Sequence, residues 1–196
     1  MNLLSKHNSF DTIVGIIANG KLRLCLYEIT VSTIPKTVSK EQGIARIELW
    51  LSTVFNNSFL INEDDSSKET WQKTDHTLLT LPADVNDNTI TEVLFLKLTA
   101  IAAECNTEIE QVSINNMLEH CTTSMFMENE ASQFGAEGWW DESTPSWQHA
   151  TPLSKDNITT LVTVPDWNAL TGEHTNHNSG NVTDIFNKSH APDEDK

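Results

Sequence analysis

The sequence predicts an α+β protein: a mostly antiparallel sheet with an N-terminal hairpin, packed against two to three helices and followed by an acidic extension. Two observations predict this class. Short β-branched runs alternate with segments whose apolar residues recur at helical intervals. Behind residue 122 the chain becomes acidic and aromatic, without a period of two or 3.6. We therefore divide it into a core domain over 1–125, an acidic-aromatic extension over 126–170 and a disordered tail over 171–196.

Two apolar runs near the N-terminus predict a β-hairpin. Residues 12–18 (TIVGIIA) and 21–31 (KLRLCLYEITV) flank Asn19-Gly20, a dipeptide that accepts the positive φ angles of a type I′ turn. Because side chains alternate along a strand, one face of the second strand belongs to the core and the other is half-exposed. The two faces carry Leu22, Leu24 and Leu26 on one side and Lys21, Arg23, Cys25 and Tyr27 on the other.

The next elements are a helix and two short strands. Ser39 and Gln42 stand at capping-box spacing before apolar residues at helical intervals, so we predict a helix from about 40 to 55. Residues 58–62 (SFLIN) and 76–81 (HTLLTL) predict strands that join the sheet, and the polar stretch between them predicts a surface loop.

The sequence predicts a central helix that begins near Thr89. The run TITEVLFLKLTAIAAEC is apolar almost all the way round, which a helix tolerates only when the rest of the fold or a partner subunit encloses it. Thr107 and Glu110 then form a second capping-box pattern, which predicts a helix over 108–121. The two helices would form a tight helical hairpin. Farther on, residues 158–164 (ITTLVTV) predict one more strand.

The extension holds the candidate site. Four large aromatic residues stand among acidic ones, and two interpretations fit them. They can dock a partner, with the rings filling apolar pockets and the carboxylates facing a basic rim. They can also pack on the protein's own sheet and cover an edge. The candidate partner-binding residues are Phe134, Trp139, Trp140, Asp141, Glu142 and Trp147.

Charge restricts the choice of partner. The formal net charge is −16, and residues 99–196 carry 16 acidic against 3 basic side chains. Such a surface repels phosphate backbones, so direct nucleic-acid binding is disfavoured. It attracts a basic protein, for example one that handles nucleic acids. Solubility alone is the simpler explanation of the charge.

Catalytic, metal and cofactor motifs are absent from the sequence. It has no phosphate-binding glycine loop, GxSxG turn, HExxH helix or CxxC pair, so we predict a non-enzymatic protein with no cofactor and no metal. The acidic pairs Asp64-Asp65 and Asp141-Glu142 lack a metal-ligand spacing. The opening residues lack a secretory signal and no run approaches a membrane span, so we expect a cytoplasmic address.

Residues 76–121 resemble the ribbon-helix-helix family. The matching segments are HTLLTLP, a short strand ending at proline, and LKLTAIAAECNTEIEQVSINNMLEH, interpreted as two helices joined by a tight turn. The resemblance implies a dimeric DNA-binding regulator that reads the major groove through its strand.

Three functions remain open on these observations. The leading hypothesis is an acidic interaction factor that binds and modulates or inhibits a basic protein; the unusual composition suggests a viral or mobile-element accessory protein, in the host cytoplasm if viral. The second is a structural subunit of a homo-oligomeric or viral assembly, with contacts between copies. The third is the DNA-binding regulator that the family resemblance implies.

Overall fold

A computed structural model of the protein describes residues 6–35, 40–127, 134, 138–145 and 167. These residues form one six-stranded sheet and three α-helices, which confirms the α+β class. The strands are β1 (Lys6–Ala18), β2 (Lys21–Pro35), β3 (Phe59–Asn62), β4 (Leu78–Leu81), β5 (Thr107–Asn116) and β6 (Cys121–Phe126). The helices are α1 (Lys40–Trp50), which continues into a π-helical turn over Leu51–Phe55, α2 (Lys68–Trp71) and α3 (Asp87–Ala103).

The sheet is mixed, so the expectation of a mostly antiparallel sheet is only partly right. The strand order is β4-β3-β1-β2-β5-β6. Strands β1, β2, β5 and β6 pair antiparallel, whereas β3 pairs parallel with β1 and β4 pairs parallel with β3. Parallel neighbouring strands need a long connection between them. Helix α1 lies in the connection that leads to β3, and the loop that contains α2 connects β3 to β4.

The predicted N-terminal hairpin is confirmed. Asn19 and Gly20 both have positive φ, at 52° and 73°, as a type I′ turn requires. This two-residue turn fixes the register, so that Ile13 lies opposite Leu26 and Asp11 lies opposite Glu28. A register set by a tight turn also decides which side chains share a face.

Helices α1 and α3 cover one face of the sheet, here called the helix-bearing face. Helix α3 connects β4 to β5 and therefore passes over the three strands between them. It packs against α1 on one side and against the sheet on the other. The apolar character all round this helix thus results from enclosure within the fold, one of the two outcomes expected. Its N-terminus is capped by Asn86, whose side chain accepts a hydrogen bond from the Thr89 amide at 3.0 Å.

The predicted helix over 108–121 is wrong, because this segment forms β5, a tight turn and the start of β6. Glu110 is an extra residue opposite the register shift at Ser32/Thr33, which makes a β-bulge. The bulge separates the buried residues Ile109 and Val112 by three positions, which interrupts the period of two that would have indicated a strand. Residues 76–121 are all described and lack the strand-helix-helix order, so the ribbon-helix-helix resemblance does not extend to the fold.

The described residues cover the opposite side of the sheet, here called the outer face, only in part. The loop between β3 and β4, predicted from its polarity, contains the short helix α2. Trp71 of this helix packs edge-on against Phe59 of β3, with ring centroids 5.5 Å apart. Ile17 and Ile61 are buried in the same small cluster. The cluster covers the β3 side of the outer face.

Some expectations fall outside the described residues. The strand predicted over 158–164 and the disordered tail predicted over 171–196 are among them. The last described strand ends at Phe126, close to the boundary of 125 proposed for the core domain. Within the described ranges, no helix combines the length and apolar character that a membrane crossing requires.

Candidate functional site

Three aromatic side chains of the extension are buried on the protein's own core. Phe134, Trp139 and Trp140 are each less than a tenth exposed. Trp139 stacks on Trp50 of α1 with ring centroids 6.1 Å apart, and Trp140 meets Trp139 edge-on at 5.8 Å. Aromatic pairs in such arrangements stabilise beyond the area they bury. The rings therefore hold residues 138–145, here called the anchored segment, to the helix-bearing face.

Trp139 also reaches the edge of the sheet. Its indole Nε1 donates a hydrogen bond to the main-chain oxygen of Thr80 at 3.0 Å. Thr80 lies in β4, which ends the described sheet on that side, and edge strands present main-chain groups that can pair with another chain. The contact supports the interpretation in which the aromatic residues pack on the protein's own sheet.

Lys97 of α3 fixes the main chain of the anchored segment. Its ammonium is fully buried and donates to the main-chain oxygens of Trp139, Glu142 and Thr144 at 2.8, 2.6 and 2.7 Å. It also lies 5.8 Å from the ring centroid of Trp50, where a cation is attracted to the aromatic face. A lysine ammonium has three donors, and three carbonyls are placed to accept them. We call this arrangement the lysine clamp.

A second group of contacts holds the segment near the C-terminal end of α3. The Ser143 hydroxyl donates to the Glu104 carboxylate, which also accepts from Arg46 at 2.9 Å. The indole of Trp167 donates to the Ser143 carbonyl at 3.1 Å, and the Arg46 guanidinium lies 5.3 Å from the centroid of the Trp167 ring. Side chains from α1, α3 and the extension thus meet at one place.

The structure places the candidate partner-binding residues in different environments. Phe134, Trp139 and Trp140 are buried, Asp141 is exposed and Glu142 is half-buried. Trp147 lies outside the described residues. Partner binding through these residues stays a prediction, and the rings would reach a partner only if the anchored segment left the core. The sequence interpretation did not single out Lys97, although a lysine inside an apolar run that predicts a buried helix is a usable signal.

The lysine clamp predicts a pH dependence of stability. Burial lowers the pKa of Lys97 to about 8, against the favourable charge of Glu142. Between this value and the ordinary lysine pKa of about 10.4, the unfolded chain binds more protons than the folded one, so the free energy of unfolding rises with pH. We expect the difference in unfolding free energy between the wild type and a Lys97→Met variant to increase by about 1 kcal/mol from pH 7 to pH 9.

Urea unfolding at pH 7, 8 and 9 measures this difference. Both proteins carry the same other titrating groups, including Cys25, Cys105 and Tyr27, whose pKa values burial raises and which act in the opposite sense at high pH. Subtracting the variant removes these common contributions. A difference that is constant or falls with pH would contradict the expectation.

A polar network lies between the N-terminus of α3 and the sheet. The Tyr27 hydroxyl donates to Asp87 at 2.6 Å, and the side-chain amide of Asn116 donates to the other oxygen of Asp87 at 3.2 Å. Burial, together with the hydrogen bond to Asp87, raises the pKa of Tyr27. Burial also raises the pKa of Cys25, so this thiol is less reactive than an ordinary one. The network links α3 to β2 and β5.

The acidic pairs Asp64-Asp65 and Asp141-Glu142 each contain a carboxylate that accepts hydrogen bonds from the protein itself. Asp65 accepts hydrogen bonds from the Ser67 amide and hydroxyl and from the Asn19 amide. The bonds from Ser67 contribute most to lowering the pKa of Asp65. In the part of the chain that the structure describes, no three His, Cys, Asp or Glu side chains lie together as metal ligands would.

The outer face carries an exposed apolar patch beside the area that the α2 loop covers. Ile13 of β1 lies opposite Leu26 of β2, and the amide of Met117, in the turn that follows β5, donates to the Leu26 carbonyl at 2.9 Å, so these residues lie in one row across the sheet. Leu24 is 58% exposed and Ile13 is 46% exposed. The members of the apolar patch are Ile13, Leu22, Leu24, Leu26 and Met117. Contiguous exposed apolar side chains often mark an interaction surface.

An acidic row borders the apolar patch on the same face. Asp11 and Glu28 lie directly opposite each other, two positions along from Ile13 and Leu26. Like charges in this position destabilise an antiparallel pair. The side-chain amide of Asn115 lies 3.5 Å from Glu28, and neither carboxylate has an ion pair within the described residues. The predicted hairpin register would already have placed these acids together, but the sequence interpretation did not use it.

Together these observations define an α+β protein whose described residues form one mixed sheet. One face of the sheet bears the helices and part of the extension, and the described residues cover the outer face only in part. No family model matches the sequence, and the curated proteins include no significant match. Among solved structures, the chain is similar to an uncharacterized protein from Wolinella succinogenes, with 10% identity and a TM-score of 0.52. The similarity covers 64% of this chain and 98% of that one, and it concerns the fold alone.

Proposed function

We propose that the chain is a non-enzymatic interaction factor that binds a basic protein partner through the apolar patch on its outer face. The observation that carries this proposal is the exposure of several large apolar side chains in one place, with Leu24 at 58%. Most members of the patch belong to β1 and β2, the two central strands of the sheet. Rigid elements position a docking surface better than mobile loops do.

The covered part of the outer face supports the same proposal. On the β3 side, Trp71 and its loop bury the apolar side chains of this face. They do not bury Leu22 of β2, which is 41% exposed. The net charge of −16 favours a basic partner, since opposite charge accelerates association and disfavours other partners. The candidate residues of the extension then contribute chiefly packing and negative charge.

Affinity capture with the full chain tests this proposal. We expect the wild type to retain a basic protein from its native lysate, and a Leu24→Ser variant to retain at least tenfold less. Full burial of a leucine side chain contributes about 1.5–3 kcal/mol, and a tenfold change in affinity corresponds to about 1.4 kcal/mol. Phe126→Ser is the matched control, since Phe126 is 46% exposed but lies at the other end of the sheet, in β6. It should retain as much partner as the wild type.

The result that overturns the proposal is equal recovery of every protein by wild type and Leu24→Ser. Recovery that Phe126→Ser reduces as strongly would place the docking surface elsewhere and would also contradict it. Circular dichroism of both variants checks that the fold is kept, which we expect because both side chains are exposed.

A further inference from the structure

The outer face combines an apolar surface with two carboxylates that form no ion pair among the described residues, in a fixed arrangement. Side chains two positions apart on a strand point to the same face and are about 7 Å apart. The acidic row of Asp11 and Glu28 is therefore one such step from the row of Ile13 and Leu26. A ligand that fits both rows needs apolar and cationic groups at a matching separation.

We propose that this face binds an amphipathic basic segment, whose apolar side chains rest on the apolar patch while an arginine or lysine pairs with Asp11 and Glu28. The inference rests on the proposed function and names the feature of the partner that is recognised. Residues i and i+4 of a helix lie about 6 Å apart, and residues i and i+2 of a strand about 7 Å, so either conformation supplies the spacing.

The geometry of the two carboxylates favours a cation between them. Opposed residues of an antiparallel pair have Cβ atoms about 5 Å apart, close enough for one guanidinium to reach both side chains. Arginine offers five donors in a planar fork, which suits carboxylate groups. Bringing a cation there removes the repulsion between Asp11 and Glu28, so binding and relief of strain within the hairpin act together.

A second copy of the chain fits this face less well. Each copy carries a net charge of −16 and the same acidic row beside the same apolar patch. Packing the two outer faces together would bury or approach like charges, which opposes association. A basic segment meets both the apolar and the electrostatic requirement of the surface.

Synthetic peptides test the inference on the full-length protein. The probe is a labelled 16-residue helical peptide with leucines along one face and arginines at i+4 positions bordering them. One comparison peptide has glutamate in place of arginine, and another has serine in place of leucine. Fluorescence anisotropy at low and moderate salt gives each affinity. We expect the wild type to bind the leucine-arginine peptide at least tenfold more tightly than either comparison peptide.

Variants of the protein assign the two components of binding. Asp11→Asn combined with Glu28→Gln should weaken binding of the leucine-arginine peptide at least fivefold and should reduce the preference for arginine over glutamate. The matched control is Glu48→Gln combined with Asp84→Asn, which removes the same charge from exposed positions on α1 and on the loop between β4 and α3. It should leave the affinity within twofold of the wild type. Leu24→Ser should weaken binding of both leucine-containing peptides.

Each outcome decides for or against the inference. If the Asp11→Asn/Glu28→Gln variant behaves like its control while Leu24→Ser still loses binding, the charge pairing is wrong and the proposed docking surface stands. If Leu24→Ser has no effect, or no peptide binds, the inference is overturned, and the capture experiment above decides the proposed function independently. Concentration-dependent dimerisation that Leu24→Ser abolishes would identify a second copy as the occupant and would also overturn it.

Discussion

Replacing Lys97 with methionine should lower the free energy of unfolding by about 3 kcal/mol. Three main-chain oxygens lose their donor, and each buried acceptor left unsatisfied costs about 1–3 kcal/mol. The total stays below the sum, because the anchored segment can shift and let water reach the carbonyls. Methionine is close to lysine in length and leaves little cavity, so lost hydrogen bonding dominates. Urea unfolding followed by tryptophan fluorescence measures the change.

Lys73→Met provides the control for the lysine clamp. Lys73 is exposed beside α2, so the same substitution there should change stability by less than about 0.5 kcal/mol. Hydrogen exchange gives a second measurement: in Lys97→Met, the amides of residues 138–144 should exchange faster than in wild type, whereas those of the central strands should not. Equal stability of the two variants would show that the lysine clamp contributes nothing.

The first half of the fold is largely readable from the sequence because its signals are local. The dipeptide Asn19-Gly20 sets a turn whose geometry determines the whole register of β1 and β2. Helix α1 begins near its predicted capping box, and α3 is apolar all round because it crosses the sheet. These patterns depend on neighbours within a few residues, where periodicity and turn chemistry are informative.

The errors come from interactions between distant segments. The β-bulge at Glu110 shifts the alternation of β5 by one residue, so the period of two that indicates a strand is lost, and only the pairing with β2 reveals the bulge. The direction of β3 and β4 is likewise invisible in their four-residue sequences, because a short apolar strand reads the same whether its neighbour is parallel or antiparallel.

The site was predicted less completely than the fold. Composition marked Trp139 and Trp140 as unusual but gave no means of telling docking from self-packing, since both interpretations bury the rings. What decides their environment is Lys97, Trp50 and Thr80, which come from three other parts of the chain. The apolar patch was easier to predict from the sequence. The alternation of β2 already assigned its leucines to one face, and only the structure shows that this face is the exposed one.

Trp139→Ala should lower the free energy of unfolding by about 3 kcal/mol. Removing a buried tryptophan side chain typically costs 3–5 kcal/mol, and here it also removes the stacking on Trp50 and the hydrogen bond to Thr80. The lower end of that range applies because the Thr80 carbonyl lies at a sheet edge, where water can replace the indole donor. Trp71→Ala, on the half-buried ring of α2, is the comparison and should cost about 1 kcal/mol.

The double variant Lys97→Met/Trp139→Ala tests whether both residues act on one unit. If each substitution releases the anchored segment, the second removes contacts that the first has already lost, so the combined destabilisation should be at least 1 kcal/mol less than the sum of the two. Strict additivity would mean that Trp139 and Lys97 stabilise the core separately. In that case the segment between Trp139 and Thr144 would not be held as one element, although the lysine clamp joins both ends of it.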